Sequence, residues 1–125
     1  INFCDGCKLC WTHLNGKCHH NDDMQKLIED YETADLIIFS SPASIGDISA
    51  ILKNFLDRTI ATVEPKMVTN DTEHLRNRKR SRSEKNQYFM SFSTAGLNEI
   101  TSNLESMTAT YKAIERHKNI IINGA

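Results

Sequence analysis

Met24, Leu27, Ile28 and Tyr31 fall at i, i+3, i+4 and i+7 on an otherwise charged segment, one apolar stripe that predicts a helix. Asp22 stands at its start with Gln25 three residues on, the pattern of a capping box. Carboxylates at Asp22 and Asp23 there read as partners of the helix dipole rather than as metal ligands. Residues 34–40 (ADLIIFS) follow as a continuous apolar run with Pro42 beyond it. That is the pattern of a strand buried on both faces, hence of a parallel sheet covered by helices. Ser49 is placed to cap a second helix with the apolar face Ile48, Ile51, Leu52, Phe55, Leu56, Ile60 and Val63, while Lys53, Asn54, Asp57 and Arg58 fall on its solvated side. Pro65 ends this pattern, and residues 64–86 read as a long polar loop. A strand returns over 88–93 (YFMSFS) and a tight turn over 94–97. A helix then starts at 98 or 99 with Ile100, Leu104, Met107, Tyr111 and Ile114 on one side, and a last strand is expected over 119–125.

The order is therefore helix, strand, helix, strand, helix, strand, and right-handed repetition of that unit builds a parallel sheet. In such a sheet ligands sit beyond the carboxyl ends of the strands. This selects two loops of small residues: Ser41, Pro42, Ala43, Ser44, Ile45 and Gly46 after one strand, and Ser93, Thr94, Ala95 and Gly96 after the other.

With 125 residues, 39% of them hydrophobic, the chain fits one globular domain. A formal net charge of -1 and a pI near 6.6 give no overall drive toward nucleic acid or an anionic membrane, and no apolar run is long enough to span a bilayer. The exception is local: residues 74–85 (HLRNRKRSRSEK) concentrate positive charge, which reads first as a solvated excursion and second as Arg76, Arg78 or Arg80 meeting a phosphate. Ile1 to Phe3 are neither a basic n-region nor an apolar h-region of a signal peptide, so a reducing, cytoplasmic setting is expected. The chain opens in mid-element without an initial Met, and a piece of a longer protein is expected.

All four cysteines, Cys4, Cys7, Cys10 and Cys18, lie in one stretch, CDGCKLCWTHLNGKCHHNDDM. Two-residue spacers let three thiols curl around one centre, with Gly6 or Gly16 relieving the turn. An iron–sulfur cluster, a zinc ion drawing also on His13, His19 or His20, and plain reduced thiols all remain open on this spacing; disulfides rank last.

That stretch, followed by ADLIIFSSP and SAILKNFLDR, resembles the flavodoxin-like NAD(P)H-dependent FMN reductase superfamily, and within it the iron–sulfur flavoproteins. The resemblance implies a flavodoxin-like α/β three-layer sandwich of strand order 2-1-3-4-5. Residues 1–125 would form a partial FMN-binding domain carrying a cysteine loop at 4–18 and a basic loop at 64–86. The first strand and its phosphate-binding turn have no counterpart here, so weak flavin binding is expected. FMN would rest on the two small-residue loops, and a [4Fe-4S] cluster on the four cysteines. The reaction implied is an FMN-dependent NAD(P)H oxidoreductase, with NAD(P)H and an electron acceptor as partners, in a homo-oligomer. An electron-transfer iron–sulfur flavoprotein and a non-enzymatic metal-binding fragment are the alternatives. The chemistry belongs to the flavin, so no catalytic side chain is nominated. Where the family commonly has an aromatic, this chain has Ser44, which leaves ring stacking to Trp11, to a partner subunit, or to no group at all.

Overall fold

The structure is a computed structural model and describes residues 1–69, 75–80, 87–96 and 104–118. Its elements in chain order are α1 (Leu9–Thr12), α2 (Met24–Thr33), β1 (Leu36–Pro42), α3 (Ala50–Arg58), a 3-10 turn (Thr59–Thr62), β2 (Val63–Thr69), β3 (Leu75–Lys79), β4 (Tyr88–Thr94) and α4 (Glu105–Lys118). They form two compact units, one made of Ile1–Ala34 and Asn54–Lys85, the other of Asp35–Lys53 and Asn86–Ala125. Among the described residues no helix is long and apolar enough to cross a membrane. The strand expected over 119–125 and the helix start expected at 98 or 99 lie outside the described residues.

In the first unit, α2 buries Met24, Ile28 and Tyr31 of the predicted stripe, while Leu27 stays largely exposed. Met24 and Ile28 join Cys10 and Ala61 in a core onto which Trp11, Phe55 and Ile60 pack. Burying side chains of this size contributes about 1.5–3 kcal/mol each. The capping box does not form: Gln25 reaches Glu29 instead, while Asp22 accepts the N–H of Met24 at 3.1 Å.

The face that α3 buries is not the predicted one. Arg58 is 2% exposed and Asn54 is buried, whereas Ile51 is 80% exposed. Asn54 Nδ2 and Arg58 Nη1 each donate to the carbonyl of Asn2 at 3.2 Å, and Arg58 pairs with Asp22, so these polar groups are buried with partners. The helix also stops at Arg58, and Val63, assigned to it by pattern, opens a strand.

Residues expected to be a patternless loop instead contain β2 and β3, an antiparallel pair with an irregular register between Val63 and Met67. Their side chains alternate poorly because the pair is mostly exposed, which is why no period of two shows. Asn77 Nδ2 donates to the Glu64 carbonyl at 2.9 Å and Arg78 pairs with the Glu64 carboxylate at 3.0 Å.

In the second unit β1 and β4 pair in parallel, Leu36 against Tyr88 through Pro42 against Thr94. The apolar run of β1 is not buried on both faces: Ile37, Phe39 and Ser41 are buried, and the residues between them are exposed. On the buried side the rings of Phe39 and Phe89 lie 5.6 Å apart and line a small cavity with Tyr111 and Ile114 of α4. The exposed side carries Leu36, Ile38, Tyr88, Met90 and Phe92.

Candidate functional site

The cysteine stretch forms a hook. Left-handed backbone at Gly6 (φ 67°), Lys8 (φ 57°), Asn15 (φ 45°) and Gly16 (φ 88°) turns it repeatedly, with α1 as a single helical turn between. Trp11 Nε1 donates to the Ile60 carbonyl at 2.9 Å, which anchors the hook and gives Trp11 a structural role. Arg80 straps it from the end of β3, donating to the Cys10 carbonyl at 3.2 Å, to Asn15 Oδ1 at 3.0 Å and to the Val63 carbonyl at 3.2 Å. Arg80 is thus engaged within the protein, and so is Arg78 with Glu64; the side chain of Arg76 lies outside the described residues.

Cys4, Cys7, Cys10 and Cys18 are all free thiols and line one cavity of about 70 Å³ together with Arg58, Ile60 and Ala61. Burial pushes the Cys10 thiol above its usual range, and the neighbouring Cys18, Cys4 and Cys7 add to the shift. A tetrahedral zinc ion would hold sulfurs about 3.8 Å apart, given Zn–S bonds near 2.3 Å. Among the described residues the ligand atoms that gather within 4.8 Å are those of Asp5, Cys7 and His19, all exposed, and not three of the cysteines. Four free thiols lining one cavity supply the ligand set that a [4Fe-4S] cluster requires. His19 Nε2 lies 3.1 Å from the Asp5 carboxylate, whose pKa is lowered first by a hydrogen bond from its own backbone N–H.

Arg58 lines this cavity and pairs with Asp22. The carboxylate of Asp22 also accepts the N–H of Asn2 at 2.7 Å, and the guanidinium beside it holds its pKa well below the usual carboxylate range. Desolvation works against the charge of Arg58, but Asp22 and then Cys18 outweigh it and raise its pKa. Arg58 Nε and Nη2 are buried and make no hydrogen bond among the described residues. Sequence reasoning placed Arg58 on a solvated face; its partners Asn2 and Asp22 are remote in the chain, and no periodic signal marks them.

The two small-residue loops lie side by side at the carboxyl ends of β1 and β4, where the N–H of Ala43 donates to the Thr94 carbonyl at 2.8 Å. Ser41 is buried and its hydroxyl is already used, accepting from the N–H of Ser49 at 2.8 Å and donating to the Pro42 carbonyl at 3.0 Å. It shapes the loop and ties it to the start of α3. Pro42, Ser44, Ile45, Ser93, Thr94, Ala95 and Gly96 are exposed; Ala43 and Gly46 are half-buried. Ser44 and Asp47 exchange backbone hydrogen bonds of 2.7 and 3.2 Å around Ile45 (φ 51°) and Gly46 (φ 79°), a tight turn of the mirror-image type. A β-branched residue such as Ile45 is strained there, and strained backbone gathers at ligand-binding loops. A Cβ built on Gly96 would meet nothing within 4 Å, so a flat ring has room against that backbone.

Asp47 fixes this turn from the other side. Its carboxylate accepts from the N–H of Ile48 at 2.7 Å, from the Ser106 hydroxyl at 2.9 Å and from the Thr110 hydroxyl at 3.2 Å, and the hydrogen bond from Ile48 leads in lowering its pKa. Asp47 directly follows the first small-residue loop but is not among the residues that sequence reasoning selects, since its link to α4 carries no local signal.

The chain is 37% identical to an iron–sulfur flavoprotein of Archaeoglobus fulgidus over 59 residues, which is 47% of this chain and 28% of the relative. Two iron–sulfur flavoproteins of Methanocaldococcus jannaschii match at 39% over 59 residues (47% of this chain, 30% of the relative) and at 36% over 70 residues (54% and 35%). The matched segments thus span about a third of the length of these curated relatives. No solved structure matches the chain. The NADPH-dependent FMN reductase family matches over residues 2–115, nearly all of the sequence, and with the parallel strand pair and its helices this places the chain in that family, with a flavodoxin-like α/β fold.

Proposed function

We propose that this chain is part of an FMN-dependent oxidoreductase that takes electrons from NAD(P)H and passes them to an acceptor, with a [4Fe-4S] cluster on Cys4, Cys7, Cys10 and Cys18 as the exit. The observation that carries the reading is four free thiols around one cavity, in a chain of the FMN reductase family whose similar relatives are named iron–sulfur flavoproteins. FMN, when bound, supplies hydride acceptance and single-electron release. The residues of the chain do the holding. Pro42, Ala43, Ser44, Ile45 and Gly46 with Ser93, Thr94, Ala95 and Gly96 form a rim at the ends of two parallel strands, and Ser41 and Asp47 hold that rim rigid. The hook keeps the four thiols on one cavity wall through Trp11 and Arg80. Self-association of the chain belongs to the same proposal.

Anaerobic reconstitution with iron and sulfide tests it. About four iron and four sulfide per chain are expected, falling on Cys10→Ser or Cys18→Ser. Added FMN should lose fluorescence on binding, and less so with Gly96→Val, whose side chain enters the open space beside the loop. A chain that takes up neither iron nor FMN sinks the reading. The group Asp5, Cys7 and His19 favours a second one, a single zinc ion with an open coordination position. One zinc per chain, lost on His19→Ala, with no iron and no flavin, would select it.

A further inference from the structure

Arg58 presents an unusual combination. It is a buried cation on the wall of the four-cysteine cavity, with Nη1 committed to Asp22 and the Asn2 carbonyl, while Nε and Nη2 make no hydrogen bond of normal geometry among the described residues and Cys18 is the sulfur that interacts with the guanidinium. A buried N–H left without an acceptor costs about 1–3 kcal/mol, so such groups call for an acceptor that belongs in the cavity. Cys18 is the sulfur ligand that favours the charge of Arg58. Asp22, paired with the same guanidinium through Nη1, supplies the opposing charge.

We infer that Arg58 tunes the reduction potential of the metal centre held by the cysteine hook, setting a buried positive charge and the N–H donors not committed to Asp22 against its sulfur ligands, with Asp22 as the counterweight. The inference rests on the cluster reading above. Reduction adds one electron to the centre and no bond forms or breaks; no proton is taken up, and Arg58 stays protonated throughout. The reduced centre carries one more negative charge than the oxidised one, so a nearby cation stabilises the reduced form more. Hydrogen bonds to the sulfurs act in the same direction. Because Arg58 is shielded from solvent, added salt screens this effect little.

The experiment is a dithionite titration of the iron- and sulfide-reconstituted chain, followed by absorbance and by electron paramagnetic resonance, for the parent, Arg58→Lys, Arg58→Met and Asp22→Asn. Arg58→Met is expected to lower the reduced-to-oxidised ratio at fixed solution potential at least tenfold, a downward shift of about 59 mV for one electron. Arg58→Lys keeps the charge but loses the paired donors, and should fall between Met and the parent. Asp22→Asn removes the counterweight and should move the potential upward. Opposite signs for the two charge-removing variants are what a merely structural pair would not produce. If the parent takes up no iron, the cluster reading fails and this inference falls with it. If the parent loads but both variants keep its potential, or shift the same way, the cluster reading stands and the role of Arg58 is overturned. Should Arg58→Met not load, Asp22→Asn decides: a raised potential supports the assignment, and an unchanged or lowered one refutes it.

Discussion

Asp22 divides its two carboxylate oxygens among the N–H of Asn2, the N–H of Met24 and the guanidinium of Arg58. All three favour the ionised form, so its pKa lies below the value near 3.9 expected of an unfolded Asp. A depressed carboxylate stabilises the fold above the unfolded pKa, and that stability is lost as pH falls through the folded one. Urea midpoints should therefore drop steadily from about pH 5 downward, and Asp22→Asn should flatten that dependence. At neutral pH the same variant should cost about 3 kcal/mol, because Arg58 is left buried without its counter-charge. Parallel acid profiles for parent and variant would show that other carboxylates carry the effect. Ile45 makes the opposite case. It holds a left-handed conformation fully exposed to solvent, so Ile45→Gly should raise stability by about 1 kcal/mol, read as a higher urea midpoint. A lower midpoint would mean that the Ile45 side chain makes contacts that outweigh its strain.

At the scale of elements, the hook depends on a chain segment that looks like a loop. Arg80 reaches Cys10 and Asn15 from the end of the β2–β3 pair, and Gly16 lies so close that a Cβ there would stand 2.9 Å from Arg80 Cδ and 3.2 Å from the Ala61 carbonyl. Gly16→Ala, which must also hold φ at 88°, should cost about 1–2 kcal/mol, and Arg80→Ala should speed proteolytic cleavage within residues 4–18. Equal cleavage rates would leave Arg80 without the strapping role. These contacts mark where sequence patterns stop. Helix α2, strands β1 and β4 and most of the described part of α4 follow from apolar spacing, because their burial is set by neighbours of the same period. The cysteine spacing and the small-residue loops are legible for the same local reason. The helix at α3 is legible but its buried face is not, since that face is polar and is satisfied only through Asn2 and Asp22, which lie 36–56 residues away. The β2–β3 pair hides because Pro65, Lys66 and the arginines of β3 suit an exposed antiparallel edge and show no alternation.

For the molecule as a whole, charge and surface point the same way. Fifteen Lys and Arg against sixteen Asp and Glu leave a net charge of -1, so copies of the chain repel one another weakly near neutral pH. The exposed side of the β1–β4 sheet pairs Leu36 with Tyr88 and Ile38 with Met90 in register, and Phe92 extends the strip opposite Ser40. Contiguous apolar side chains of this kind on a nearly neutral surface favour self-association. The strip is narrow beside the roughly 1,000 Å² that a stable interface buries, so association should be reversible and should strengthen with concentration. Sedimentation equilibrium over a wide concentration range should show a rising average mass. Ile38→Lys combined with Met90→Lys, at the centre of the strip, should restore a constant monomer mass and leave the circular dichroism unchanged, because both side chains are about half exposed. A parent chain that keeps monomer mass at the highest concentration would remove self-association from the proposal, while a double variant that associates as strongly as the parent would move the contact away from this face.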